Sequence, residues 1–174
     1  GLGLVNACWG CTGNSAAFGA GSTAAANDDW NTLDIVGHEF THGVTQATSN
    51  LNYNHESGAL NESFSDIFGE MVESWTLGTC DWLVGDEIGA IRSFDAPSNY
   101  TTGYGGAMPD TYLGTGWYSG SSDNYGVHHN SSVQNYIFFM LSEGDWGQND
   151  YGITYNVTGI GRFKARNIAY RALT

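Results

Sequence analysis

The chain has 174 residues, 41% of them hydrophobic and 14% aromatic, enough to bury a core within one domain and too apolar for a disordered chain. Its formal charge is −13 and residues 1–91 contain no Lys or Arg, which argues against phosphate recognition and so against nucleic acid as a partner. No apolar run reaches membrane-spanning length, while so acidic a surface suits a secreted protein or one that gathers divalent cations.

Residues 1–25 read as short strands with Gly-rich turns, Leu4 to Trp9 and then Ala16 to Phe18. Cys8 and Cys11 fall in this segment. With no second Cys-x-x-Cys, a four-cysteine metal site cannot be built, and no strand-helix-strand context supports a thioredoxin-like pair. A disulfide between the two is expected, with Cys80 buried or partnered elsewhere.

Asn31 or Thr32 can cap a helix running to Ala47, with Leu33, Ile35, Val36, Phe40 and Val44 at helical spacing. After a loop from Ser49 to Gly58, a second helix is predicted over Ala59 to Trp75. Its stripe is Leu60, Phe64, Ile67, Phe68, Met71 and Val72. Residues 76–126 form a long irregular stretch, and such stretches inside one domain tend to be functional or metal-braced. A third helix is expected over Val127 to Ser142 and a fourth from Ile160 to the end. The pattern is a single α+β, mainly α domain.

His38-Glu39-Phe40-Thr41-His42 lies inside the first helix. Residues four apart share a helical face, so His38 and His42 can offer two imidazoles to one zinc ion with Glu39 beside it. Two ligands on one helix need a third from elsewhere, and Glu62 on the second helix is the best candidate, with Asn61 and Asp66 able to accept the other imidazole N–H bonds. Glu62, Asp66, Glu70 and Glu73 follow at spacings of four, four and three on one strip. Like charges so placed repel, and this half of the chain supplies no Lys or Arg to offset them, so cations from solution are the expected partners. Further on, Asp123-Asn124-Tyr125-Gly126-Val127-His128-His129 sets two histidines at a helix start near an Asp, a place from which His128 could stabilise an oxyanion.

With Ala59-Leu60-Asn61-Glu62-Ser63-Phe64-Ser65-Asp66 downstream of the His-Glu-Phe-Thr-His run, the chain resembles the thermolysin family of zinc metalloendopeptidases, in its single-calcium branch. The likeness continues through Tyr53, Asp81-Trp82, Ile91-Arg92 and Gly126-Val127-His128 to Gly159-Ile160-Gly161-Arg162 and Arg171-Ala172-Leu173-Thr174. Asn6-Ala7-Cys8-Trp9 resembles the family's substrate-binding edge strand. The resemblance implies a thermolysin-like catalytic core throughout 1–174: edge strands in 1–25, a zinc-helix pair in 31–75, an irregular substrate and calcium region in 76–126, and helices of the C-terminal lobe in 127–174. It implies zinc on His38, His42 and Glu62, with Glu39 activating water and passing its proton to the leaving amine. Tyr53 and His128 would donate to the oxyanion, with Asp123 orienting His128. Arg92 would bind a substrate carbonyl, Asn6 and Ala7 substrate backbone, and Ile35, Val84, Ile88 and Ile91 would wall a pocket for the hydrophobic residue after the scissile bond. Asp34, Glu70, Glu73, Asp81 and the Leu83 carbonyl match a calcium site. Leu83 stands where the double site of the family has a carboxylate, so one calcium is expected.

The implied protein is a secreted endopeptidase acting on proteins or peptides. Against the family pattern the chain opens at the edge strand and stops before the final helices, as a fragment or a reduced relative would. Segments outside it, or neighbouring chains, would then complete the cleft. The rival expectation is a metal-stabilised assembly protein with weak catalysis on a shortened protease scaffold, and a calcium-dependent binding module is a third that leaves the histidines unexplained.

Overall fold

Two helices, α1 (Leu33–Ala47) and α2 (His55–Leu77), form the frame of the molecule. The computed structural model describes residues 5–21 and 29–174, and Leu4 of the expected first strand lies outside the described residues. The pair crosses where Gly37 meets Gly69. A Cβ on Gly37 would stand 2.9 Å from the Gly69 Cα, and one on Gly69 would stand 2.3 Å from the Asp34 carbonyl oxygen. Two missing side chains therefore let the backbones close up, and side chains from both helices can converge on one point.

α2 begins four residues before its expected start at Ala59. Asn54 is extended and its carbonyl accepts the Gly58 N–H at 3.0 Å, closing a first turn of polar residues that apolar periodicity cannot reveal. Its end follows chain chemistry: Gly78 adopts φ 79° and donates to the Ser74 carbonyl.

The core lies between α2, α3 (Asp123–Glu143) and α4 (Arg162–Leu173). Phe64, Ile67 and Met71 meet Trp82, Phe94, Phe138, Ala165, Ala169 and Leu173 there. The Trp82 ring sits 5.8 Å from that of Phe94, tilted, and 6.1 Å from that of Phe138, edge to face, as aromatic quadrupoles prefer.

The helical stripes are only partly inward. Phe40 (57% exposed) and Val44 (41%) of α1 face outward, as does Val72 of α2. The buried face of α1 is instead rich in polar groups: Asp34, His38, Glu39, Thr41 and Thr45. The carboxylate strip of α2 is likewise no solvated face, since Glu62, Asp66, Glu70 and Glu73 are all at most 4% exposed.

Among the described residues the strands form four two-stranded antiparallel sheets. β1 (Ala7–Trp9) pairs with β2 (Ala16–Phe18) in the register Ala7 to Phe18, and Cys8 and Cys11 form the expected disulfide. β3 (Leu83–Val84) pairs with β4 (Arg92–Ser93), and β5 (Thr101–Thr102) with β6 (Gly106–Ala107), inside the stretch expected to be irregular. β7 (Gly144–Gln148) and β8 (Thr154–Thr158) make a hairpin between α3 and α4 that periodicity did not predict. Gly144-Asp145-Trp146-Gly147-Gln148 lacks the alternation of a half-buried strand.

Candidate active site

His38 and His42, one turn apart on α1, turn their Nε2 atoms to within 3.1 Å of each other. Glu62 reaches across from α2, its Oε2 3.4 Å from the His38 Nε2 and its Oε1 3.3 Å from the His42 Nε2. A tetrahedral zinc with ligands at about 2.0–2.1 Å has ligand–ligand edges of about 3.3 Å, which these closest approaches match. One ligand atom from each residue lies within 4.8 Å of the other two, so the cluster is close to the size the ion needs. Proton placement agrees. The His38 Nδ1 lies 2.8 Å from the Asp66 Oδ1 and the His42 Nδ1 2.7 Å from the Asn61 Oδ1, oxygens that can only accept. Both Nδ1 atoms therefore carry protons, so it is the Nε2 atoms, where a metal would displace any proton, that aim into the triangle. Glu62 is fully buried and its Oε2 has no hydrogen-bond partner among the described residues. The donor set fits a zinc ion, and an orphaned carboxylate oxygen is what such an ion would satisfy.

The electrostatics point the same way. Burial works against the Glu62 charge, yet His128, His38 and His42 hold its carboxyl well below the usual range. Burial also opposes charge on His38, but Asp66 and Glu62 outweigh it and push the imidazole up to about 10. The pocket demands positive charge.

Asp66 is the hub behind the triangle. Besides His38 it accepts Arg92 of β4 in a bidentate pair, Nε to Oδ2 at 2.8 Å and Nη2 to Oδ1 at 2.6 Å. It also accepts the Asn135 Nδ2 at 2.8 Å. Burial raises the Asp66 pKa, but Arg92 and His38 hold it far below the carboxylate range. Asn135 is wholly buried on α3, its Oδ1 taking the Ser63 hydroxyl at 2.7 Å. Sequence reasoning missed it; the only signal is one amide directly before the run Tyr136 to Phe139.

Tyr53 and His128 approach the same Glu62 carboxylate. The Tyr53 hydroxyl donates to the Glu62 Oε1 and lies 3.2 Å from the His128 Nε2. Burial and the Glu62 charge raise the Tyr53 pKa, so the phenol stays protonated and able to donate. Asp123 holds His128 twice, Oδ1 to Nδ1 at 2.7 Å and Oδ2 to the backbone N–H at 2.9 Å. Burial disfavours the His128 imidazolium, but Glu62 and Asp123 shift the balance and its pKa is raised.

These groups open onto a cleft of about 660 Å³. Glu39, buried next to His38, lines it, as do Ile35, Val84, Ile91 and Arg92. Ile88 does not line it; its short turn faces a second hollow bounded by Asn31, Thr32 and Glu87. Asn6 and Ala7 form another wall. The Asn6 carbonyl and the Gly10 N–H bond toward β2, so by strand alternation the backbone groups of Ala7 and Trp9 face away from it. Trp9, within the expected edge strand but given no role of its own there, also lines the cleft. Its ring lies against Gly43, where a Cβ would come within 2.7 Å, and its Nε1 donates to Gln46 at 2.8 Å, which ties β1 to α1.

The remaining carboxylates gather where α1, α2 and the β3 region meet. Ligand oxygens of Glu70, Glu73 and Asp81 lie within 4.8 Å of one another, and so do those of Asp34, Glu73 and Asp86. Asp86 was not among the predicted ligands. Its neighbour Glu87 is equally acidic, so only the tertiary arrangement distinguishes them. Glu70 and Glu73 each keep a buried oxygen with no partner among the described residues. Burial first, then neighbouring carboxylates, push Glu70 up to about 7 and Glu73 up to about 8. Hard oxygens so short of positive charge fit a calcium ion. The Asp34 oxygens accept the N–H groups of Ile35 and Gly85 and the Thr32 hydroxyl, and Leu83 donates its N–H to Asp81 at 3.0 Å.

Comparison with known proteins points to one family. Residues 49–174 match the family described as "Thermolysin metallopeptidase, alpha-helical domain" and residues 1–46 the "Thermolysin metallopeptidase, catalytic domain". The chain is 41% identical to a bacillolysin of Bacillus cereus, over 97% of this chain and 28% of that protein. It is 40% identical to a thermolysin of Alicyclobacillus acidocaldarius subsp. acidocaldarius, over 99% and 30% respectively. It thus spans about 30% of the length of these relatives. A solved structure of a protealysin precursor, a metalloproteinase from Serratia proteamaculans, superposes with a TM-score of 0.68 at 33% identity, over 81% of this chain and 47% of that one.

Proposed function

Because the chain belongs to the thermolysin metallopeptidase family, we propose that it carries the catalytic strip of a secreted zinc-dependent endopeptidase cleaving on the N-terminal side of hydrophobic residues. His38, His42 and Glu62 hold the zinc, which when bound supplies a Lewis acid for the peptide carbonyl and acidifies water. Glu39 takes the proton of the attacking water and delivers it to the departing amine nitrogen. Tyr53 and His128 donate hydrogen bonds to the oxyanion that grows on the carbonyl, and Asp123 keeps His128 turned for that task. Arg92 has five N–H groups, of which Asp66 takes two, leaving others for a substrate carbonyl. Substrate backbone adds alongside Ala7, with Asn6 beside it. The apolar wall of Ile35, Val84 and Ile91 supports a hydrophobic preference after the scissile bond.

One calcium ion on Asp34, Glu70, Glu73 and Asp81 with the Leu83 carbonyl, joined by Asp86, braces the start of the irregular region. The orphaned oxygens of Glu70 and Glu73 support it. The Cys8–Cys11 disulfide supports an oxidising, extracellular location. The described residues contain no helix long and apolar enough to cross a membrane.

The observation that carries the reading is the 3.1–3.4 Å triangle of His38, His42 and Glu62 with Glu39 beside it. The test is cleavage of a peptide with Leu or Phe after the scissile bond. Chelation should abolish it, and Glu39→Gln should abolish it while zinc stays bound. A zinc-loaded parent chain that cleaves nothing would defeat the proposal and leave a metal-stabilised assembly protein in its place.

A further inference from the structure

We propose that Tyr104 is a positioning residue for His128, acting through Asp123; this deepens the endopeptidase reading above and rests on it. Tyr104 sits in the turn between β5 and β6, in the run Gly103-Tyr104-Gly105. Its ring is anchored. It packs edge-on against Tyr118 at 4.9 Å and tilted against His129 at 6.0 Å. His129 is itself wholly buried and held between the Thr102 Oγ1 at 2.8 Å and the Gly116 carbonyl at 2.7 Å. From this anchor the Tyr104 hydroxyl donates to the Asp123 Oδ2 at 2.5 Å.

The Asp123 carboxylate thus takes three donors: Tyr104 and the His128 backbone N–H on Oδ2, and the His128 Nδ1 on Oδ1. It needs an outside brace because of its backbone. Asp123, Asn124 and Tyr125 have φ of 53°, 48° and 69°, the left-handed region that non-glycine residues seldom hold, still less in succession. Among the described residues, a hydrogen bond and a ring stack bear on this turn from outside. One is Tyr104 on Asp123, and the other is the His55 ring stacked on Tyr125 at 3.7 Å. A hydrogen bond to a carboxylate is short and directional, so Tyr104 sets the rotation of Asp123 and through it the plane of the His128 imidazole.

Tyr104→Phe keeps the ring and removes only the hydroxyl. In the zinc-loaded chain labelled with nitrogen-15, the His128 Nδ1–H resonance should be sharp and slow to exchange with water. In the variant its exchange should quicken several-fold; an unchanged resonance overturns the proposal. In peptide cleavage, kcat should fall about five- to tenfold, the worth of one such hydrogen bond, with KM and zinc content unchanged. In an Asp123→Asn background the same substitution should cost nothing further. An equal loss in both backgrounds, or a loss that follows zinc release, overturns it. If the parent cleaves no peptide, the endopeptidase reading fails while the resonance still decides the Tyr104 contact.

Discussion

Arg92→Leu removes one member of a buried ion pair and leaves the other in place. Arg92 is 6% exposed and Asp66 1%, and the guanidinium makes bonds of 2.6 and 2.8 Å to the carboxylate. Without it Asp66 keeps, among the described residues, His38 and Asn135 as donors. Breaking such a pair costs about 3–5 kcal/mol, because a carboxylate is left in a medium that solvates it poorly. At about 2.1 cal/mol/K per residue, a chain this long unfolds with an entropy near 0.37 kcal/mol/K, so the midpoint should fall by about 8–14 °C. Asp66 has a depressed pKa in the folded state. Its contribution is therefore present above the unfolded value of about 3.9 and lost as pH falls through the folded one. The gap between parent and variant should be widest near pH 7 and close in acid. Thermal and urea unfolding followed by circular dichroism, at pH 7 and in acid, measure the midpoint shift and the gap, with Arg92→Leu/Asp66→Asn expected to recover part of the loss. A cost under about 1 kcal/mol at pH 7, a gap indifferent to acid, or an additive double variant would refute the argument.

The acidic cluster makes stability depend on pH in the opposite direction. Glu70 and Glu73 have raised pKa values, about 7 and about 8. Without a cation, the stability from their protonated forms is complete below about 4.5 and lost as pH rises through those values. Thermal melts of the chelated chain should fall from pH 5 to pH 8, and millimolar calcium should raise the midpoint more at pH 8; an equal calcium effect at both would count against the site. Gly69→Ala should separate α1 from α2, since its Cβ would meet the Asp34 carbonyl oxygen at 2.3 Å and the His38 nitrogen at 3.2 Å. Overpacking against backbone costs about 1–3 kcal/mol, and zinc affinity should drop with it because the ligands come from both helices. Chelator competition reads the affinity, and unchanged binding would show that the crossing does not set the triangle.

Much of this site could be read along single helices. The spacing of His38 and His42, and of Glu62 and Asp66, is a property of helical geometry, so each pair shares a face wherever the helix goes. Motifs in the same order and spacing as a known family carried the reading to Tyr53, Arg92, Asp123 and His128. Ile88 shows the limit. It sits near Ile91 and looks apolar enough for the wall. Its side chain does gather with those of Ile91 and Ile35 beside Gly85, yet the surface it lines is that of another hollow. Phe40 and Val44 show it again: they keep helical period with Val36, but the inward face of α1 carries Ile35 among mostly polar groups.

The local pattern of the chain determined its helices, the zinc-ligand spacing, the disulfide and the excess of negative charge, because each depends on residues close in sequence. Tertiary structure alone decided what crosses between elements. The Gly37–Gly69 contact sets how near the two helices come, and Asn135 and Tyr104 reach the site from 69 and 19 residues away in sequence. It also decided which of two adjacent acids, Asp86 and Glu87, joins the carboxylate cluster. Such contacts leave no period in the sequence, since the distance that matters is set by backbone packing and not by spacing along the chain.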